Sequence, residues 1–111
     1  MYAALFEMTS WCGLEQHIVQ GDSAETLLNA FEDIQSLSCL VRMGRSRERG
    51  VGLESLNKLE AILTDRDSGL LTIDKLLELD VQISLGTFKC VEIIEADNAM
   101  EQLKNKYPNA R

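Results

Sequence analysis

Residues 17–34 read HIVQGDSAETLLNAFEDI, an extended run that breaks at Gly21-Asp22-Ser23 and resumes with a helical period. Before the break, Ile18 and Val19 stand among polar neighbours, as in a half-exposed strand. After it, Ala24, Leu27, Leu28, Phe31, Ile34 and Leu37 recur at three- and four-residue steps, which is one face of a helix, with Glu25 and Glu32 opposite. Asp22 and Glu25 have the spacing of a capping box, Asp standing in for the usual Ser or Thr, and mark the helix start.

On the N-terminal side, Tyr2, Ala4, Phe6 and Met8 alternate with Ala3, Leu5 and Glu7, so a first strand is expected to be buried on much of both faces. A turn at Trp11-Cys12-Gly13 pairs it with a second strand over 14–20. Beyond the helix, residues 42–52 (RMGRSRERGVG) hold three glycines and four arginines without helical period, predicting an exposed Arg/Gly-rich loop. Leu53, Leu56, Leu59, Ile62 and Leu63 then mark a helix ending near Asp65, with Glu54 and Lys58 placed for an i to i+4 pair.

Thr72 is suited to cap a short helix in which Ile73, Leu76 and Leu77 share a face. Val81, Ile83 and Leu85 alternate, Gly86-Thr87 reads as a turn, and residues 88–95 are apolar and β-branched on both series, which predicts a central strand. Asp97 or Asn98 caps a last helix with Ala99, Met100, Leu103 and Tyr107 inward, and Pro108 ends it.

The order ββα-αα-ββα predicts a single α+β domain over 1–111, a two-layer fold whose four-stranded, mostly antiparallel sheet carries its helices on one face. The expected core is Leu5, Phe6, Ile18, Leu27, Leu28, Phe31, Leu56, Leu59, Ile62, Leu76, Phe88, Val91, Ile93 and Leu103. Asp22, Ser23, Ala24 and Leu28 stand in the same spacing as Asp97, Asn98, Ala99 and Leu103. Either an internal duplication or the shared chemistry of strand-to-helix junctions produces that likeness.

Composition narrows function. The formal charge of −7 repels polyanions, so nucleic acid is an improbable partner except through the arginine segment. Residues 1–41 contain six acids (Glu7, Glu15, Asp22, Glu25, Glu32, Asp33) and neither Lys nor Arg. No apolar run reaches the roughly 18 residues of a membrane span, and residues 1–6 lack the pattern of a signal peptide, so a cytoplasmic location without membrane contact is expected. Cys12, Cys39 and Cys90 are too scattered for a disulfide framework or zinc knuckle, and are read as buried reduced thiols.

Candidate chemistry is sparse. Arg42, Arg45, Arg47 and Arg49 could clamp a phosphate-bearing ligand or RNA, since guanidinium forks match phosphate oxygens, although no aromatic residues interleave them to stack bases. Cys12 and His17 could form a nucleophile pair, but their odd separation in an extended segment favours a solvent-facing His17. Glu92, Glu95 and Asp97 form an acid cluster of the kind that is usually just solvated. An EF-hand register placing Gly69 at the sixth position puts Thr64, Arg66, Ser68 and Lys75 where oxygen ligands belong, which excludes that motif. No cofactor, metal site or catalytic residue is assigned.

The stretch from His17 to Ile34 resembles the strand-to-helix junction of HicB-type antitoxins, in which a strand, Gly-Asp-Thr or Gly-Asp-Ser, and an Ala-rich helix follow one another. It covers about eighteen residues. The chain lacks that family's Pro-containing segment before the junction and has a much longer helical insertion after it, so no function is carried over. The expectation from the residues themselves is a noncatalytic inhibitor, immunity or adaptor-like module whose Glu25, Glu32 and Asp33 dock a basic partner protein. A homodimer is a further expectation, because the two-faced strand at 88–94 needs cover on both sides.

Overall fold

The computed structural model describes residues 1–10, 13–35, 37–47, 52–83 and 86–111, with the backbone alone at 40, 43, 47 and 83. In chain order its elements are β1 (Tyr2–Ser10), β2 (Gly13–Gly21), α1 (Ala24–Ile34), α2 (Leu37–Arg47), α3 (Leu53–Asp67), α4 (Ile73–Leu77), β3 (Asp80–Ile83), β4 (Gly86–Glu95) and α5 (Ala99–Lys106). The strands form one antiparallel sheet in the order β2-β1-β4-β3. The expected α+β architecture is therefore present, with β4 central as its apolar pattern demands.

Alternation along β1 builds two cores. Ala4, Phe6 and Met8 face α1 to α4, while Ala3 and Leu5 face α5 with Ile18, Ala99 and Leu103. On the first face the Phe6 and Phe31 rings stack with centroids 4.3 Å apart. Leu27, Leu28, Leu56, Leu59, Leu76 and Leu79 around them are fully buried, each contributing roughly 1.5–3 kcal/mol by leaving water. The helices were expected on one face only; α5 covers the other, because Ala3, Leu5 and Ile94 would otherwise meet solvent there. Ile62, Val91 and Ile93 of the expected core are half-buried rather than buried.

The junctions refine the sequence reading. Ser23, not Asp22, caps α1: its Oγ accepts from the Thr26 N–H at 3.2 Å while Thr26 Oγ1 accepts from the Ser23 N–H at 2.9 Å. The helix ends at Ile34, which is 45% exposed instead of lying on the core face, and Gln35 turns into extended backbone. The chain then re-enters a helix at Leu37. Residues 42–47 belong to this α2 and not to a loop. Leu37, Val41 and Gly44 form its buried stripe, and a Cβ on Gly44 would lie 2.9 Å from Leu56 Cδ2. The glycine that suggested a loop marks a close approach of α2 to α3.

Gly86 and Thr87, expected to form a turn, already belong to β4, and residues 84 and 85 lie outside the described residues. At Gly86 φ is +150°, and a Cβ would stand 2.2 Å from the Thr9 carbonyl oxygen, so only glycine lets β4 begin against β1 there. The two ββα halves differ in how their helices are placed. The first strand of one half pairs with the second strand of the other, and α1 and α5 lie on opposite faces. Their caps differ too: Ser23 bonds the helix backbone, whereas the Asn98 side chain does not.

Candidate partner-docking surface

The position of α1 follows from its buried stripe. Ala24, Leu27, Leu28 and Phe31 lock one side into the core, which leaves Glu25, Asn29 and Asp33 in a row on the outer side, four residues apart. Asp22 precedes the row and is also exposed. Glu25 and Asp33 are separated by about 12 Å along the axis. Among the described residues no Lys or Arg forms an ion pair with Asp22, Glu25 or Asp33. Six other acids have cationic neighbours: Glu15 has Arg111, Glu54 Lys58, Glu60 Arg45, Asp65 Lys75, Asp67 Arg66 and Glu92 Lys106. Among the described residues Asp74, Glu78, Asp80, Glu95, Asp97 and Glu101, like the α1 row, have none.

Glu32, the third acid expected to meet a partner, is engaged internally. Its carboxylate accepts from the Leu37 N–H at 3.0 Å and the Ser38 N–H at 3.3 Å, capping α2 from the preceding helix. Among Arg42, Arg45, Arg47 and Arg49, those described belong to a helix. Arg45 reaches across to Asn57 and Glu60 and clasps α2 to α3, while Arg42 is exposed one turn earlier. The Arg47 side chain and Arg49 lie outside the described residues. The structure thus does not place these arginines together on one loop.

The remaining candidates resolve individually. His17 is buried at 8% exposure rather than solvent-facing, because it shares the helix-covered face with its β1 neighbour Phe6; its Nε2 lies 3.5 Å from Glu15. Cys12 lies outside the described residues. Cys39 is exposed, contrary to expectation, whereas Cys90 is buried and its thiol is pushed up to about 12 by desolvation. Glu92 is not an open acid: Lys106 Nζ donates to both its oxygens at 3.0 and 2.9 Å, and Tyr107 Oη donates to Oε2 at 3.0 Å. These bonds tie α5 to β4, and they hold the Glu92 carboxyl below its ordinary range. Among the described residues no group of three or more His, Cys, Asp or Glu is placed to hold a metal.

Asp65 belongs to the end of α3, where the Leu70 N–H bonds the Asp65 C=O at 2.8 Å and the Gly69 N–H bonds the Arg66 C=O at 3.1 Å. This is a Schellman ending. Beside it, a cleft of about 450 Å³ between α3 and α4 is lined by Lys58, Ala61, Ile62, Asp65, Lys75 and Glu78, its two cations facing two acids. No described helix is long and apolar enough to cross a membrane.

One feature has no signal in the sequence: Arg111 pairs with the outer edge of β2 through its backbone. A single residue in extended conformation carries no periodicity, so only tertiary packing reveals it.

No protein-family model matches the chain, and no curated protein or solved structure is significantly similar to it.

Proposed function

We propose that the protein is a noncatalytic binding module that docks a basic partner protein on the outer face of α1, through Glu25 and Asp33 with Asp22 beside them. One observation supports this reading above the others. Asp22, Glu25 and Asp33 are exposed together at and along one helix, inside a stretch with neither Lys nor Arg, and among the described residues none of the three has an ion pair. An unneutralised row on a rigid helix projects a field that steers a basic surface toward it, and the stretch from 1 to 41 supplies no cation that could shield it locally.

The test is affinity capture of the tagged chain from its host's lysate, with and without nuclease, using wild type and the Glu25→Lys, Asp33→Lys double variant. A basic protein retained after nuclease, released by salt and lost from the double variant is the expected result. Retention of RNA, lost when Arg42, Arg45, Arg47 and Arg49 are changed to Ser, would overturn the reading and move function to the arginines.

A further inference from the structure

Strand alternation sends the backbone N–H and C=O groups of Leu14, Gln16, Ile18 and Gln20 away from β1, along the outer side of β2. Arg111 occupies the middle of that side. Its N–H donates to the Gln16 C=O at 2.9 Å and its C=O accepts from the Ile18 N–H at 3.0 Å, the slanted bonds of a parallel strand opposite His17. Its guanidinium lies 3.7 Å from Glu15 Oε1. Among the described residues no further main-chain group bonds the outward groups of Leu14 and Gln20, and the Leu14 side chain is 59% exposed.

A basic residue in extended backbone is therefore already seated on this edge, with its charge on an acid. Resting on the docking reading above, the geometry points to β2 as an edge that accepts an extended Arg- or Lys-containing segment of the basic partner as an added strand, in competition with residues 108–111. Main-chain bonds along Leu14 to Gln20 supply register, Glu15 takes a basic side chain as it takes Arg111, and residues 22–23 lead directly from this strand to the acid row of α1. Backbone pairing tolerates many sequences, so charge selects among them.

A short synthetic peptide of alternating Arg and Thr, and the same peptide N-methylated at alternate amides, are titrated into the full chain and into a chain ending at Tyr107, with backbone amide shifts as readout. The expected result is shifts at Leu14, Gln16, Ile18 and Gln20, weakened by methylation. Binding should tighten about tenfold in the shortened chain, as for an edge open about a tenth of the time when residues 108–111 are present. Arg111→Glu in the full chain shifts affinity the same way through repulsion by Glu15, so the result does not depend on the shortened chain folding. Gln20→Pro removes one outward donor without touching the β1 ladder and should weaken the peptide.

Equal binding of the methylated peptide with shifts confined to α1 would overturn the edge and leave acidic docking standing. Pairing of β2 with a second copy, seen as a doubled mass with these amides protected, would also overturn it. Edge shifts that persist while Glu25→Lys with Asp33→Lys leaves the basic partner's affinity unchanged would overturn the docking reading instead.

Discussion

The two edges of the sheet are closed by different means. At β3, four residues long, α3 lies alongside: Val81 is fully buried, and the Gln82 N–H reaches Ser55 Oγ at 3.4 Å. At β2, nine residues long, Arg111 makes two backbone bonds near the middle, and among the described residues no other main-chain group bonds the outward groups of Leu14 and Gln20. Sheets commonly blunt their edges against unwanted pairing. The difference puts one edge in the core and leaves the other at the surface, on the strand that leads into α1.

The largest expected effect comes from uncovering the closed edge. Leu56, fully buried between α2 and the core, anchors α3, and Leu56→Ala should cost about 2–5 kcal/mol in urea unfolding. Amide exchange at Gln82 should then rise toward that of Leu14, erasing the contrast between the edges. Next is Gly86→Ala, which forces a Cβ against the Thr9 carbonyl at a positive φ. It should cost about 1–3 kcal/mol and loosen β4 from β1 between the two edges.

A smaller effect is expected at Glu92. Lys106 beside it holds its carboxyl below the usual range, so the folded chain takes up this proton less readily than the unfolded one. That stabilisation is complete above the ordinary carboxylate range and is lost as pH falls through the lower folded-state value. Glu92→Gln should lower Tm modestly at neutral pH, and thermal melts across the acid range should show the gap to wild type closing as pH falls. The smallest effect is Arg111→Ala, an exposed pair worth at most about 1 kcal/mol, which should speed exchange of the Ile18 amide while Gln82 stays protected.

Much of the fold was legible in the sequence because burial leaves periodicity. The two-faced pattern of residues 2–8 announced a strand buried on much of both faces, that of 88–95 a central strand, and the stripe from Ala24 to Phe31 announced α1. What was not legible depends on partners distant in sequence. Gly44 reads as a breaker until Leu56 is known to press on it. Likewise Glu32 and Glu25 look equivalent until α2 turns its first amides toward Glu32. His17 looked solvent-facing because α1 packs over its strand only in three dimensions. Of the acids expected to dock, Glu25 and Asp33 remain exposed on α1, and the composition of residues 1–41 already showed that no local cation would offset them.

The most direct measurement is the association rate of the captured basic partner with wild type and with the Glu25→Lys, Asp33→Lys variant, over a range of ionic strength. Steering by the α1 row predicts a wild-type rate that falls about tenfold or more as salt rises, and a variant that is slow and nearly salt-independent. Equal rates with equal salt dependence for the two proteins would contradict it.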